Sequence, residues 1–430
     1  MERLTLLAGE FQRLALSATV KPLEEVADWI AGYRAAGQGG GYEKRRVAVI
    51  QADDRKRLDI RVCAPPGLTV DDARWSVLAA AFRQAIKDSS ATLLFVNSRR
   101  TAERLTRLIN EEEPSTLAYA HHGSLAREVR LAVEQRLKDG ALKAIVATSS
   151  LELGIDIGEL DQVILVQTPP TIASAIQRVG RAGHSVGGIS RGLLYPTHGM
   201  DFLTAAVLAR AVVEQDIEPV APLKAPLDVL AQVIVSMAGR ARWDIDRLYA
   251  FIRTSYPYHE LSRAQFDLVL DMLEGRYAET RLRELRPRIS LDRVDGTLKA
   301  KEGSQRLIYL SGGTIPERGS YDLRLEGARA KIGELDEEFV WERRIGDSFS
   351  LGAQVWRILK ITSNDVEVAP STGKPGILPF WRAEDQNRDF HFAHKILTFL
   401  QAYTARLDDA DAGAELKQDY RLDQSAATEL

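Results

Sequence analysis

Arg178 and Arg181 stand three residues apart in QRVGRAGH, a spacing that on a helix turns both guanidinium groups to the same side. Two cations converging on one cleft can offset the charge that develops on a phosphoryl group in transfer. That chemistry asks a protein for placement and electrostatics and for little covalent work. Read alone, RVGRAG is also the pattern of a surface helix with two solvated arginines. Thr148 and Ser149 follow the apolar run LKAIVA and can bond phosphate oxygens through hydroxyl and backbone N–H. Asn97, Ser98 and Arg99 close another apolar run, TLLFV, and open a helical one. Helix N-termini carry unpaired N–H groups that suit phosphate, although a plain N-cap explains the same residues. His121 and His122 suggest a metal, but adjacent side chains do not converge and no second ligand cluster accompanies them, so no metal site is expected.

The elements that must position these groups follow from hydrophobic period. Strands are expected at Thr92 to Val96, Thr116 to Tyr119, Lys143 to Ala147, Gln162 to Val166 and Gly192 to Tyr195. Between them run amphipathic segments: Ala102, Leu105, Leu108 and Ile109 share one helical face, and Leu125, Val129, Val133 and Leu137 another. Short apolar strands alternating with such helices predict a parallel sheet covered on both sides, over residues 70–215. Ligands of parallel sheets bind at the carboxyl ends of the strands, where Asn97 and Thr148 fall.

Bulk composition narrows the classes further. With 430 residues and 45% hydrophobic composition the chain can hold several cores. A net charge of −3 gives no global basic signature, so contact with nucleic acid must use local patches. Cys63 is the only cysteine, which excludes an internal disulfide and a multi-cysteine zinc site. No run of about 18 apolar residues occurs, so no membrane partner is expected, and with no signal-peptide pattern at the start the cytoplasm is the default location.

Outside that region, residues 11–32 predict a short strand at Leu14 to Leu16 and a helix begun by Pro22, and VAVIQADD and RLDIRVCAPP read as strands. Residues 219–285 read as three short helices, a helical or winged-helix module. One helix starts at Ser262 as N-cap, with Gln265 completing a capping box and Leu261 stapled to Phe266. From 288 to about 382 the pattern is mostly β (ISLDRVDGTLKA, RLIYLSGG, SYDLRLEG, EFVWERRIG, QVWRILKITSNDVEVAP), predicting a small antiparallel barrel or sandwich, and a helix at 390–405 completes a domain over 288–405. The polar tail 408–430 is expected to fray. Trp341, Trp356 and Trp381 read as core residues that could alternatively stack on bases.

Taken in order, Ser17-Ala18-Thr19, FVNSRRTAERL, AHHGSL, VATSSLELGIDIG and QRVGRAGH resemble the later motifs of superfamily 2 DEAD/DEAH-box helicases. The wording SSLELGIDIG with QRVGRAGH ahead of a β-rich region is similar to the large helicase-related (Lhr) family. The resemblance implies a RecA-like second motor domain at 70–215, preceded by a remnant of the first at 1–65 and followed by a winged-helix-like module and an Lhr-type β-rich domain. It makes Arg181 the arginine-finger candidate, Arg178 its partner and Gln177 a link between nucleotide and nucleic acid. It places Gly154 and Asp156 at the nucleotide, and Asn97, Ser98, Arg99, His122, Gly123, Thr148 and Ser149 along the nucleic acid. Ser17, Ala18 and Thr19 would couple nucleotide state to domain closure. ATP with Mg2+ is the cofactor implied for the intact family protein, and single-stranded or partly duplex nucleic acid the partner.

Two departures qualify the resemblance. The sequence has no G-x-x-x-x-G-K-[ST] loop and no acidic Walker B strand; its Gly-Lys pair, Gly373-Lys374, has Val368 at the first glycine position and Pro375 at the hydroxyl position. The expectation is an N-terminally truncated helicase that binds no nucleotide stably alone and has the missing motor part as a partner. His184 replaces an arginine found in many DEAD-box relatives, which puts a second finger there in doubt. The alternative reading is a non-catalytic nucleic-acid-binding module or adaptor.

Overall fold

TLLFV, AIVA and QVILV have no polar alternation because each strand is covered on both sides. They are the interior strands Thr92–Val96, Ala144–Ala147 and Gln162–Val166 of a wholly parallel six-stranded sheet. Its order is Arg57–Val62, Ile189–Tyr195, Gln162–Val166, Thr92–Val96, Ala144–Ala147, Ala118–His121. Leu93 and Phe95 enter one core with helices Arg127–Lys138, Ile172–Val179 and Gly199–Glu214. Leu94 and Val96 enter the opposite core with helices Arg74–Lys87 and Arg99–Asn110. Each such fully buried side chain contributes about 1.5–3 kcal/mol, so the interior strands anchor the loops at their carboxyl ends. This is the RecA-like parallel sheet that the resemblance implied.

The structure, a computed structural model, describes residues 1–430 other than 18, 37–40, 52–56, 69–72, 112, 153–157, 159, 184–187, 277–285, 311–318, 328–330, 363, 373–376, 380–387 and 407–408. The chain divides into two compact units, Met1–Gln51 with Pro219–Arg318, and Ala52–Glu218 with Gly319–Leu430.

In the unit that holds the six-stranded sheet, several expectations are corrected. The strand at Arg57–Val62 pairs in parallel with Ile189–Tyr195, so a boundary near residue 65 would leave this edge strand outside its own sheet. The tail is folded, as helices Ala410–Gln418 and Gln424–Glu429. Val62 N–H donates to Arg421 O at 2.9 Å, Asp423 N–H donates to Val62 O at 2.9 Å, and Tyr420, Leu422 and Ala426 are buried. Those apolar side chains cover the sheet edge, which a polar average over the tail conceals. Finally, EFVW forms the short helix Glu337–Trp341, capped by Asp336, whose carboxylate accepts Glu338 N–H at 2.9 Å.

The second sheet of this unit has the order Lys331–Asp336, Ser320–Leu325, Asp365–Pro370, Gln354–Ile361, Ser348–Leu351. Ser320–Leu325 and Asp365–Pro370 run parallel, so the β-rich region is a mixed sheet where a wholly antiparallel barrel or sandwich was expected. Leu323, Leu335, Phe339, Phe349, Ile358 and Val366 form its core. Trp356 is half-buried and donates its indole N–H to Leu351 O, whereas Trp341 is exposed, against the core reading. Trp381 lies outside the described residues.

The other unit is built on helices Leu227–Ala238, Ile245–Ile252 and Arg263–Glu274, packed on a three-stranded antiparallel sheet ordered Ile289–Asp292, Thr297–Ala300, Trp243–Asp244. The hairpin expected to open the β-rich region therefore belongs to the winged helix, because Ile289 and Leu298 face its helices. The capping box of Ser262 and Gln265 forms as expected, with Leu261 and Phe266 buried beside it. RLIYL is part of the helix Ser304–Leu310 and not a strand.

Residues 1–51 pack in the same unit. Tyr33 N–H donates to Thr254 O at 2.7 Å, its ring stacks on His259 at 3.5 Å, and Arg3 reaches Ser236 Oγ at 3.0 Å. Arg13 donates to Glu2 at 2.7 Å and to the carbonyls of Ile30 and Ala31, a cation on the C-terminal end of helix Leu23–Ala31. The strands expected at 14–16 and in VAVIQ do not form; Leu14, Leu16 and Ile50 are exposed. Without a neighbouring strand, an apolar run of three to five residues gains nothing from extension into a ladder.

Candidate nucleotide and nucleic-acid interface

Four segments expected at the site meet at the carboxyl edge of the six-stranded sheet. Helix Ile172–Val179 is begun by Thr171, whose hydroxyl oxygen accepts Ser174 N–H at 3.0 Å. Glu218 accepts the N–H groups of Ile172 and Ala173 at 2.6 and 3.2 Å, a carboxylate on the positive end of the helix. This fixes the helix that carries Gln177 and Arg178. The helix ends at Val179, so Arg181 follows it in a turn and does not continue its face.

Both arginines nevertheless converge, on Glu152. Arg178 Nε donates to Glu152 Oε2 at 2.9 Å, and Arg181 donates through one Nη to the Glu152 carbonyl at 2.9 Å. Ser174 Oγ donates to the same Oε2 at 2.9 Å. Arg178 is only 4% exposed; it also donates to Asn97 Oδ1 at 3.1 Å and lies over the Phe95 ring at 5.3 Å. Burial lowers the pKa of both guanidiniums, Glu152 opposing the shift, and a group that ordinarily titrates far above neutrality stays charged. Arg181 and Gln177 are half-buried.

Asn97 ties the arginine to the sheet, since its Nδ2 donates to Thr168 O at 2.8 Å. Asp201, also buried, accepts the N–H groups of Thr168 and Thr197, the residues just past two strands. Ser98 serves as the N-cap of helix Arg99–Asn110, accepting Thr101 N–H at 3.1 Å. Arg99 donates to Ser124 Oγ at 2.6 Å, joining this helix start to the loop after Ala118–His121.

That loop and the Thr148 loop are also joined. Thr148 N–H and Ser150 Oγ both donate to His121 O, at 3.2 and 2.9 Å. The His121 ring lies between Ser150 Oγ at 2.8 Å and Glu134 Oε1 at 2.9 Å. Burial lowers its pKa, with the hydrogen bond and charge of Glu134 opposing. The His122 side chain is buried against Glu103, Nε2 to Oε1 2.8 Å, so in this structure its imidazole does not face solvent, while Gly123 does. Thr148 is half-buried and Ser149 exposed at the start of a single 3-10 turn.

Gly154, Asp156, Ala18 and His184 lie outside the described residues. Ser17 is exposed and Thr19 half-buried, in the other unit. Glu152, Glu103 and Asp201 were not singled out from sequence. Glu152 and Glu103 satisfy groups the motifs do name, Arg178 and His122, whereas Asp201 holds Thr168 and Thr197, which they do not; the one available signal was that a buried arginine demands an anion.

Two family models match the chain: the helicase conserved C-terminal domain over residues 76–185, and the winged helix domain of large helicase-related protein over residues 210–378. The chain is 41% identical over 428 residues to the Lhr helicase/probable uracil glycosylase of Mycolicibacterium smegmatis, covering 90% of this chain and 28% of that protein. It is 34% identical to the ATP-dependent helicase Lhr-Core protein 2 of Thermococcus barophilus, covering 99% of this chain and 50% of that one. The structure of Mycobacterium smegmatis helicase Lhr bound to ssDNA and AMP-PNP matches with a TM-score of 0.74 and 36% identity, covering 100% of this chain and 50% of that one. The chain thus spans half or less of the length of these relatives. With a parallel helicase sheet, a winged helix and a mixed sheet in that order, the chain belongs to the large helicase-related family, as the region bearing its conserved helicase C-terminal domain and its winged helix domain.

Proposed function

We propose that this chain is the part of an ATP-dependent helicase that grips single-stranded or partly duplex nucleic acid and lends an arginine to the nucleotide. The observation that carries the reading is the convergence of Arg178 and Arg181 on Glu152 at the carboxyl edge of a parallel sheet. Arg178 is buried and engaged by Glu152 and Asn97, so it holds the loop. Arg181, with more of its surface open, is the finger candidate, and Gln177 lies one turn before it.

ATP with Mg2+, when bound, supplies the phosphoryl group whose charge the arginine offsets. The sequence contains no phosphate cradle of the Walker type, so the chain alone is expected not to hydrolyse ATP; another motor part supplies the cradle. Gly154 and Asp156 would contribute to the nucleotide side, and Ser17, Ala18 and Thr19 to coupling. The strand side comprises Asn97, Ser98, Arg99, Thr148 and Ser149, with the backbone at His122 and Gly123. These groups are joined by the bonds of Arg99 to Ser124 and of Thr148 to His121.

The test is anisotropy of a labelled oligothymidylate titrated with the chain at several salt concentrations. Affinity should fall with salt at a slope of about −0.7 per phosphate contacted. Thr148→Ala with Arg99→Ala should weaken binding, and Arg181→Ala should leave it nearly unchanged. Strand-stimulated ATP hydrolysis by the chain alone, abolished in Arg181→Ala, would overturn the division of labour; binding indifferent to salt would overturn the strand contacts.

A further inference from the structure

The loop after strand Ala118–His121 is at once a loop of the helicase sheet and a bridge onto the edge of the mixed sheet. Leu125 bridges Gly333 in antiparallel fashion. Glu334 N–H donates to Ser124 O at 2.7 Å, and Ala126 N–H donates to Ile332 O at 2.8 Å. Leu125 is buried among Leu335, Phe349 and Leu351 in the core of the mixed sheet. Gly333 permits the approach: a Cβ there would lie 2.4 Å from the Ser124 carbonyl oxygen.

A second grip acts on the start of the same loop. Glu103, 1% exposed on helix Arg99–Asn110, accepts the Gly352 N–H with both carboxylate oxygens, at 2.9 and 3.0 Å. Its Oε1 also lies 2.8 Å from His122 Nε2. Gly352 sits in the left-handed region at φ 65°, in the turn between strands Ser348–Leu351 and Gln354–Ile361. A buried carboxylate without partners is costly, so these two donors account for its presence. On one side of exposed Gly123, residues 124–126 are thus held by the mixed sheet, and on the other His122 is held by Glu103, whose carboxylate the same sheet engages through Gly352.

We propose that Glu103 is a positioning residue for nucleic-acid binding, and that the mixed sheet, through Gly352 and Gly333, sets the path of the 121–126 loop along the strand. The inference rests on the strand-binding reading above. It makes the mixed sheet part of the grip without requiring that sheet to touch the nucleic acid there.

The experiment compares the chain with Glu103→Ala, Glu103→Gln and Gly333→Ala. The readouts are oligothymidylate anisotropy, hydrogen exchange of the 121–126 segment, and melting temperature. Glu103→Gln can place its amide oxygen at the Oε1 position, where it accepts both the Gly352 N–H and the His122 Nε2–H, so it should bind within about twofold of the unaltered chain. Glu103→Ala and Gly333→Ala should bind roughly tenfold more weakly and exchange faster at 121–126, the equivalent of about one lost charge-assisted hydrogen bond. Unchanged binding and exchange in both variants would overturn the proposal while leaving strand binding intact. Equal weakening in Glu103→Gln and Glu103→Ala, tracking melting temperature alone, would also overturn it, because Glu103 would then serve only the fold. Failure of the unaltered chain to bind any strand would instead sink the underlying reading.

Discussion

Replacing Glu152 by alanine would leave the Arg178 guanidinium in the interior without its anion. Removing one partner of a buried ion pair costs about 3–5 kcal/mol when the remaining charge is fully desolvated. Here Asn97 Oδ1 at 3.1 Å and the Phe95 ring at 5.3 Å stay in place. A desolvated cation–π contact contributes about 1–2 kcal/mol, so the net loss expected for Glu152→Ala is about 2–4 kcal/mol. The reverse change, Arg178→Met, leaves a carboxylate whose side chain is 15% exposed and still accepts from Ser174 Oγ. Water can reach that anion, and the expected loss is smaller, about 1–2 kcal/mol. Native-state hydrogen exchange in the Ala144–Ala147 strand under denaturant reads both values in the sheet concerned, independently of the other unit. A Glu152→Ala loss below about 1 kcal/mol, or one no greater than that of Arg178→Met, would show that the guanidinium is hydrated and refute the reasoning.

Three further outcomes follow from other sites. His121 has its pKa lowered by burial, so the unfolded imidazole takes up a proton near 6.5 while the folded one resists it. Its contribution to stability is therefore complete above that pH and is lost as pH falls toward the lower folded value, and His121→Gln should flatten the acid limb of a stability profile. The Cys63 thiol is pushed up to about 12 by burial and by Asp423, so alkylation of the native chain at about pH 8 should be very slow, with a thiolate fraction of roughly one in ten thousand. Asp423→Ala, which loosens the C-terminal helix cap, should speed it. Tyr420 packs on Phe399 and Tyr403 with ring centroids at 4.9 and 5.6 Å, and accepts from Arg210 at 3.0 Å. Tyr420→Ala should cost about 3–5 kcal/mol in denaturant unfolding of the sheet edge, and a loss under about 1 kcal/mol would mean that the tail is dispensable there.

The interior of the helicase sheet was legible because its signal is local. Runs such as TLLFV and QVILV have one physical solution once helices flank them, and Thr92–Val96 and Gln162–Val166 form at the expected positions. The capping box at Ser262 was legible for the same reason, since donor and acceptor lie three residues apart. Short apolar runs were not. LAL at 14–16 has no neighbouring strand among the described residues, EFVW was drawn into a helix by the Asp336 cap, and ISLD with TLKA joined the helices of the winged helix. Their conformation depends on a partner distant in the chain.

By itself the sequence determined the order of motifs, the parallel helicase sheet and the spacing of the arginine pair. Tertiary structure alone decided that Arg178 is buried on Glu152, that the tail completes an edge beside Val62, and that the His122 loop is clamped by Glu103, Gly333 and Gly352. The physical reason is that hydrophobic period and capping act within a few residues. Desolvation, and the pairing that makes it tolerable, depend on which groups the fold brings together from far apart, 249 residues in the case of Glu103 and Gly352.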